Sequence, residues 1–171
     1  MPAVLEVTVG MQQKFDDSVP LNTAIFRSWS SMKTPVMVWL WSLNVVYWIA
    51  FYYLPRPEAV WALVSYLAVG PMIFFMTRAQ RGLTRLTGLI HLPWVPYAGY
   101  LAFRLFGDPA GPAWADDPVY YAWLQIMLWS TLVCLVLDIY DVARWFSGQR
   151  FVLGTPAAHA AGASKLASMG P

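Results

Sequence analysis

An all-α integral membrane protein, a four-transmembrane-helix bundle with a short N-terminal interfacial helix, is the fold this sequence predicts. Three observations carry that expectation. Only 12% of the residues are charged, about half the share of a typical soluble domain. Hydrophobic residues make up 58% of the chain, and the mean hydropathy is +0.49. Finally, four apolar stretches each approach the roughly 20 residues a helix needs to cross a bilayer. The net charge of +2 is too small to point to nucleic acid; the bilayer itself is the expected partner.

Residues 1–33 form a cytoplasmic N-terminal segment. Its opening, MPAVLEVTVGMQQKFDD, has neither a basic n-region nor an uninterrupted h-region. No cleavable signal peptide is therefore expected, and the first span serves as its own insertion signal. SVPLNTAIFRSWSSMK follows, a short helix capped by Ser18 with Pro20 in its first turn. Leu21, Ile25, Trp29 and Met32 recur at helical spacing, which predicts a helix lying in the membrane interface.

The transmembrane domain is expected over 34–147. Its first span, about 34–54, reads TPVMVWLWSLNVVYWIAFYYL and is closed by Pro55 and Pro57. The second, about 58–77, is interrupted at Gly70-Pro71. The third, about 84–106, contains HLPWVP, in which Pro93 and Pro96 each remove a backbone donor beside His91. The fourth, about 118–146, follows an acidic loop over 107–117. Residues 148–171, rich in Ala, Gly and Ser, read as a flexible cytoplasmic tail.

Basic residues near span ends set orientation. Lys14, Arg27, Lys33, Arg78, Arg81, Arg85, Arg144 and Arg150 fall on one side, and only Arg56 and Arg104 on the other. Both termini are therefore expected in the cytoplasm.

Polar residues converge in the cytoplasmic half. Ser130, Thr131, Cys134, Asp138, Asp141 and Arg144 share an arc of about 140° on the last span. Leu132, Val136 and Ile139 form its back. Intramembrane charges rarely face lipid, so this stripe should turn inward. Arg81, Thr84, Arg85, Gly88 and His91 form a matching face on the third span. His91 and Asp138 both lie roughly 10 Å inside the boundary, counting 1.5 Å per residue. The expected cluster is His91, Asp138, Asp141, Arg144 and Arg85, with Arg81 level with its outer part. Two readings follow: an ion or proton pathway, or a structural network of salt bridges. Asn44, Ser130 and Thr131 would line a pore or join helices.

The sequence implies no cofactor. His91 is the only histidine in the spans, and no Cys or carboxylate accompanies it at ligand spacing along the chain, so a metal site within one chain is not expected. A pigment or haem on a single axial histidine is the one group the pattern would accommodate. Catalysis lacks a motif: there is no nucleophile triad, paired-histidine motif, Gly-rich phosphate loop or CxxC. Four spans leave little room for a pathway inside one chain. The reading is thus a small homo-oligomeric ion or proton channel or transport protein. The alternative is a non-catalytic accessory subunit of a larger respiratory, photosynthetic or other membrane complex.

Overall fold

The computed structural model describes residues 18–156 and 158. Its elements are α1 (Leu21–Ser30), α2 (Thr34–Trp48), α3 (Pro57–Gln80), α4 (Trp94–Phe106) and α5 (Pro118–Phe146), with 3-10 segments at Ile49–Phe51 and Arg85–His91. Among the described residues, three helices are long and apolar enough to cross a membrane: Thr34–Phe51, Pro57–Gln80 and Pro118–Phe146.

The stretch expected as a third continuous span is divided. Thr84 starts the 3-10 segment with a reciprocal cap, its hydroxyl accepting from Leu86 N–H at 3.2 Å while its own N–H donates to Thr87 Oγ1 at 3.0 Å. Pro93 then takes the N-cap position of a new helix, and Pro96 falls in that helix's first turn. A proline costs nothing there, because first-turn N–H groups have no helical acceptor. The two prolines therefore act as a start signal and divide the stretch expected as one span. α4 keeps 13 residues, about 20 Å at 1.5 Å per residue.

Together the two pieces run antiparallel to α5 in fixed register. Arg85 meets Asp141, His91 meets Asp138, and Arg104 and Tyr120 meet at Glu58 of α3. The pairings follow α5 from 141 back to 120, about 30 Å of helix.

α3 ends where Arg81 turns left-handed (φ 59°) and Gly82 N–H returns to the Thr77 carbonyl at 2.9 Å. Gly82 is required here: at φ 149° a Cβ would stand 2.5 Å from Val152 Cγ1 and 2.9 Å from Ser28 Cβ. That crowding marks where α1, the loop and the chain after α5 pack together. Leu83 N–H donates to Ser28 Oγ at 2.8 Å, and Leu153 N–H to the Leu83 carbonyl at 2.9 Å. α1 presents Ala24 and Ser28 to this junction, with Leu21, Ile25, Trp29 and Met32 partly covered beside them. Pro20, not Ser18, stands at its N-cap. Of the expected tail, residues 148–156 are described, and Val152 and Thr155 are buried against the bundle. Residues 1–17, 157 and 159–171 lie outside the described residues.

The core sits between α2, α3, α4 and α5. Ala50, Ala59 and Ala62, all fully buried, let backbones approach. Leu101, Leu124 and Met127 fill the space between them. On α5 the outer face is apolar, with Val136 and Ile139 exposed.

Candidate functional site

α5 turns its polar stripe inward. Thr131 and Cys134 are buried, and Ser130, Asp138, Asp141 and Arg144 are half-buried. His91 Nδ1–H donates to Asp138 Oδ2 at 2.8 Å. One helical turn away, Cys134 Sγ stands 3.7 Å from the same carboxylate oxygen and 3.9 Å from His91 Nδ1. Arg85 pairs with Asp141 and lies over the Phe151 ring, 5.7 Å from its centroid. Gly88 makes this meeting geometrically feasible: a Cβ there would be 3.0 Å from Asp138 Cβ and 3.1 Å from its Cα. The imidazole is held from its other side by Trp94, stacked at 4.2 Å. Trp94 stacks on Tyr47 at 4.8 Å, and Tyr47 on Tyr66 at 5.2 Å.

Arg85, Gly88, His91, Trp94, Asp138 and Asp141 line a cavity of about 420 Å³, with Cys134 packed behind its wall. Arg85 and Asp141 stand at the end of the bundle that carries α1, Asp138 and His91 follow, and Asn44, Tyr47 and Tyr66 lie deeper. Gly70 opens its α3 wall; nothing stands within 4 Å of where its Cβ would be. Pro71, next in the chain, has no N–H, so the Leu67 carbonyl is left without its helical donor.

Not every residue of the expected cluster joins it. Arg144 lies over Tyr140, 5.4 Å from the ring centroid, and makes no ion pair with Asp138 or Asp141 among the described contacts. Arg81 Nη2 donates to the Val19 carbonyl at 2.5 Å. Asn44 accepts from Tyr66 and donates to the Leu40 carbonyl at 2.7 Å, tying α2 to α3. Thr131 Oγ1 and Tyr47 OH are hydrogen-bonded at 3.1 Å, and Ser130 donates to the Met127 carbonyl at 3.2 Å.

A second ionic group closes the opposite end and was not anticipated. Glu58, only 2% exposed, accepts from Arg104 Nε at 2.7 Å and from Tyr120 OH at 2.8 Å. Arg104 also pairs with Asp108. Arg56 lies 4.0 Å over the Tyr120 ring and bonds Asp117 at 2.8 Å. Asp117 caps α5, and its carboxyl is held below the ordinary range by the Tyr120 backbone N–H and then by Arg56. The depth argument that paired His91 with Asp138, applied at the other ends of those two spans and at the start of the second, would have found Arg104, Tyr120 and Glu58. The approach of Cys134 to His91 had no such signal, since it depends on how the 3-10 segment is rotated.

Among the described residues, fold and site together define an all-helical protein with three membrane-length apolar helices and a largely apolar cavity that carries Arg85, His91, Asp138 and Asp141 on its wall. No family model matches the chain, and no curated protein or solved structure matches it.

Proposed function

We propose that the protein is a small multi-pass membrane protein that passes ions or protons, assembled from several copies of the chain. In this reading it crosses the bilayer four times with both termini in the cytoplasm. The third crossing is the composite of Arg85–His91 and α4, whose register along about 30 Å of α5 equals the hydrocarbon thickness of a bilayer. The observation that carries the proposal is the cavity of about 420 Å³ with His91 and Asp138 on its wall. A helix that only anchored the chain would gain nothing from a carboxylate at that depth, and intramembrane ionisable groups mark pathways by default. His91 and Asp138 exchange or bind the ion, while Arg85 neutralises Asp141 at the entrance. The Glu58–Arg104 clasp blocks a straight continuation through one chain, so passage needs the clasp to open or a neighbouring copy to complete the route.

The test is reconstitution in liposomes with proton and cation flux read by dyes. Wild type should conduct. Asp138→Asn should change the rate or the selectivity while its helical content by circular dichroism is unchanged. Absence of flux from wild type across protons and several cations overturns the reading. Stoichiometric copurification with larger subunits, again without flux, would replace it by an accessory role.

A further inference from the structure

We infer that His91, Cys134 and Asp138 form a binding site for a divalent transition-metal ion of the zinc class. The inference rests on the reading of these residues as an ion site and deepens it by naming the ion. Each residue offers one donor atom, and the three atoms lie within 4.8 Å of one another.

The distances suit a tetrahedral ion. With bonds of about 2.3 Å to sulfur and about 2.1 Å to nitrogen and oxygen, donors around such an ion stand roughly 3.6 Å apart for S···N and S···O and roughly 3.4 Å for N···O. The observed separations are 3.9 Å, 3.7 Å and 2.8 Å. Two edges are already near their final length. The third must open by roughly 0.6 Å, which a small rotation of the Asp138 side chain supplies. Cys134 and Asp138 are one turn apart on α5, so one rigid helix sets their spacing, and Trp94 stacking fixes the imidazole plane.

Charge and donor type agree with this geometry. A thiolate, a carboxylate and a neutral imidazole sum to −2, which a dication cancels, and a neutral assembly is the one least penalised away from water. Asp141 does not compete, because Arg85 holds it. A mixed nitrogen, sulfur and oxygen set suits zinc and its neighbours and does not suit magnesium or calcium, which prefer oxygen alone. On binding, the His91 proton passes from Nδ1 to Nε2 through water, and the freed Nδ1 coordinates the ion. The Cys134 thiol proton leaves to water, and the ion forms bonds to Sγ, Nδ1 and Oδ2. The fourth position faces the cavity, as in zinc sites that exchange a ligand.

Cobalt(II) is the probe, added to the full chain in detergent and then displaced by zinc. Cys134 is the only cysteine, so a thiolate-to-cobalt charge-transfer band can arise nowhere else. One equivalent should bind with that band, and zinc should abolish it. Cys134→Ser should lose the band, and His91→Gln and Asp138→Asn should each weaken zinc binding at least about tenfold, while Asp117→Asn at the opposite end leaves it unchanged. If wild type takes up cobalt without the band, or takes up none, the site does not exist, whatever the folding of the variants. Flux of protons without metal binding overturns this inference alone. Metal binding without flux of any ion overturns the transport proposal and leaves the site standing.

Discussion

Asp138 is tolerable within an apolar helix because its carboxylate accepts from His91 and faces a cavity, whereas the same residue one position further along, in place of Ile139, would stand on the apolar outer face. The exposed end of α5 shows the same economy at smaller scale. Asp117 caps the helix through the Tyr120 N–H at 3.0 Å and attracts Arg56. Its pKa is lowered in the folded state, so the stabilisation is present above the unfolded value of about 3.9 and is lost as pH falls through the lower folded one. Asn retains the cap but not the charge. Asp117→Asn should therefore melt slightly below wild type at neutral pH, and the gap should close on acidification below about pH 4. Thermal unfolding in detergent across that range checks this; a gap that widens in acid contradicts the assignment.

At the scale of elements, the informative feature is the divided stretch over 84–106. A continuous helix would carry His91 at a rotation set by 100° per residue. The tighter 3-10 path and the restart at Pro93 instead let Gly88 lie against Asp138 and bring His91 close to Cys134. Gly88→Ala places a methyl group 3.0–3.1 Å from Asp138 atoms, one of them backbone, so the segment must move outward. A loss of about 1–2 kcal/mol is expected, read as a lower melting temperature, together with weakened zinc binding from a displaced His91. A variant with unchanged stability and binding would show that the contact is slack. The sequence showed the prolines and the glycine but could not reveal this use of them, since proline breaks a helix or begins one according to what the flanking turns can pack against.

Across the whole molecule, polar groups sit at two levels with an aromatic and aliphatic core between them. One level borders the cavity beside α1; the other ties α3, α4 and α5 at Glu58. Glu58 is the more deeply buried charge, and its partner Arg104 is about a quarter exposed. Arg104→Met leaves the carboxylate with Tyr120 alone and should cost about 3 kcal/mol, the lower end for a broken buried pair. Adding Glu58→Gln should restore most of that loss, because the uncompensated charge is then gone. Melting curves of the single and double variants decide it. Equal losses in both would mean that Arg104 acts through packing and not through charge.

Three of the four expected spans, the inward polar stripe of α5 and the level at which His91 meets Asp138 were legible from composition and residue spacing; the division of the other stretch was not. Hydrophobic length and helical periodicity are properties of a segment alone, and depth follows from counting residues. The tertiary structure alone decided that Cys134 joins the pair, that Arg144 turns to Tyr140, that Glu58 is clasped at the far end and that residues 149–155 cover the junction with α1. Those outcomes depend on the rotation and close approach of neighbouring elements, which are settled by side chains packing from several parts of the chain at once.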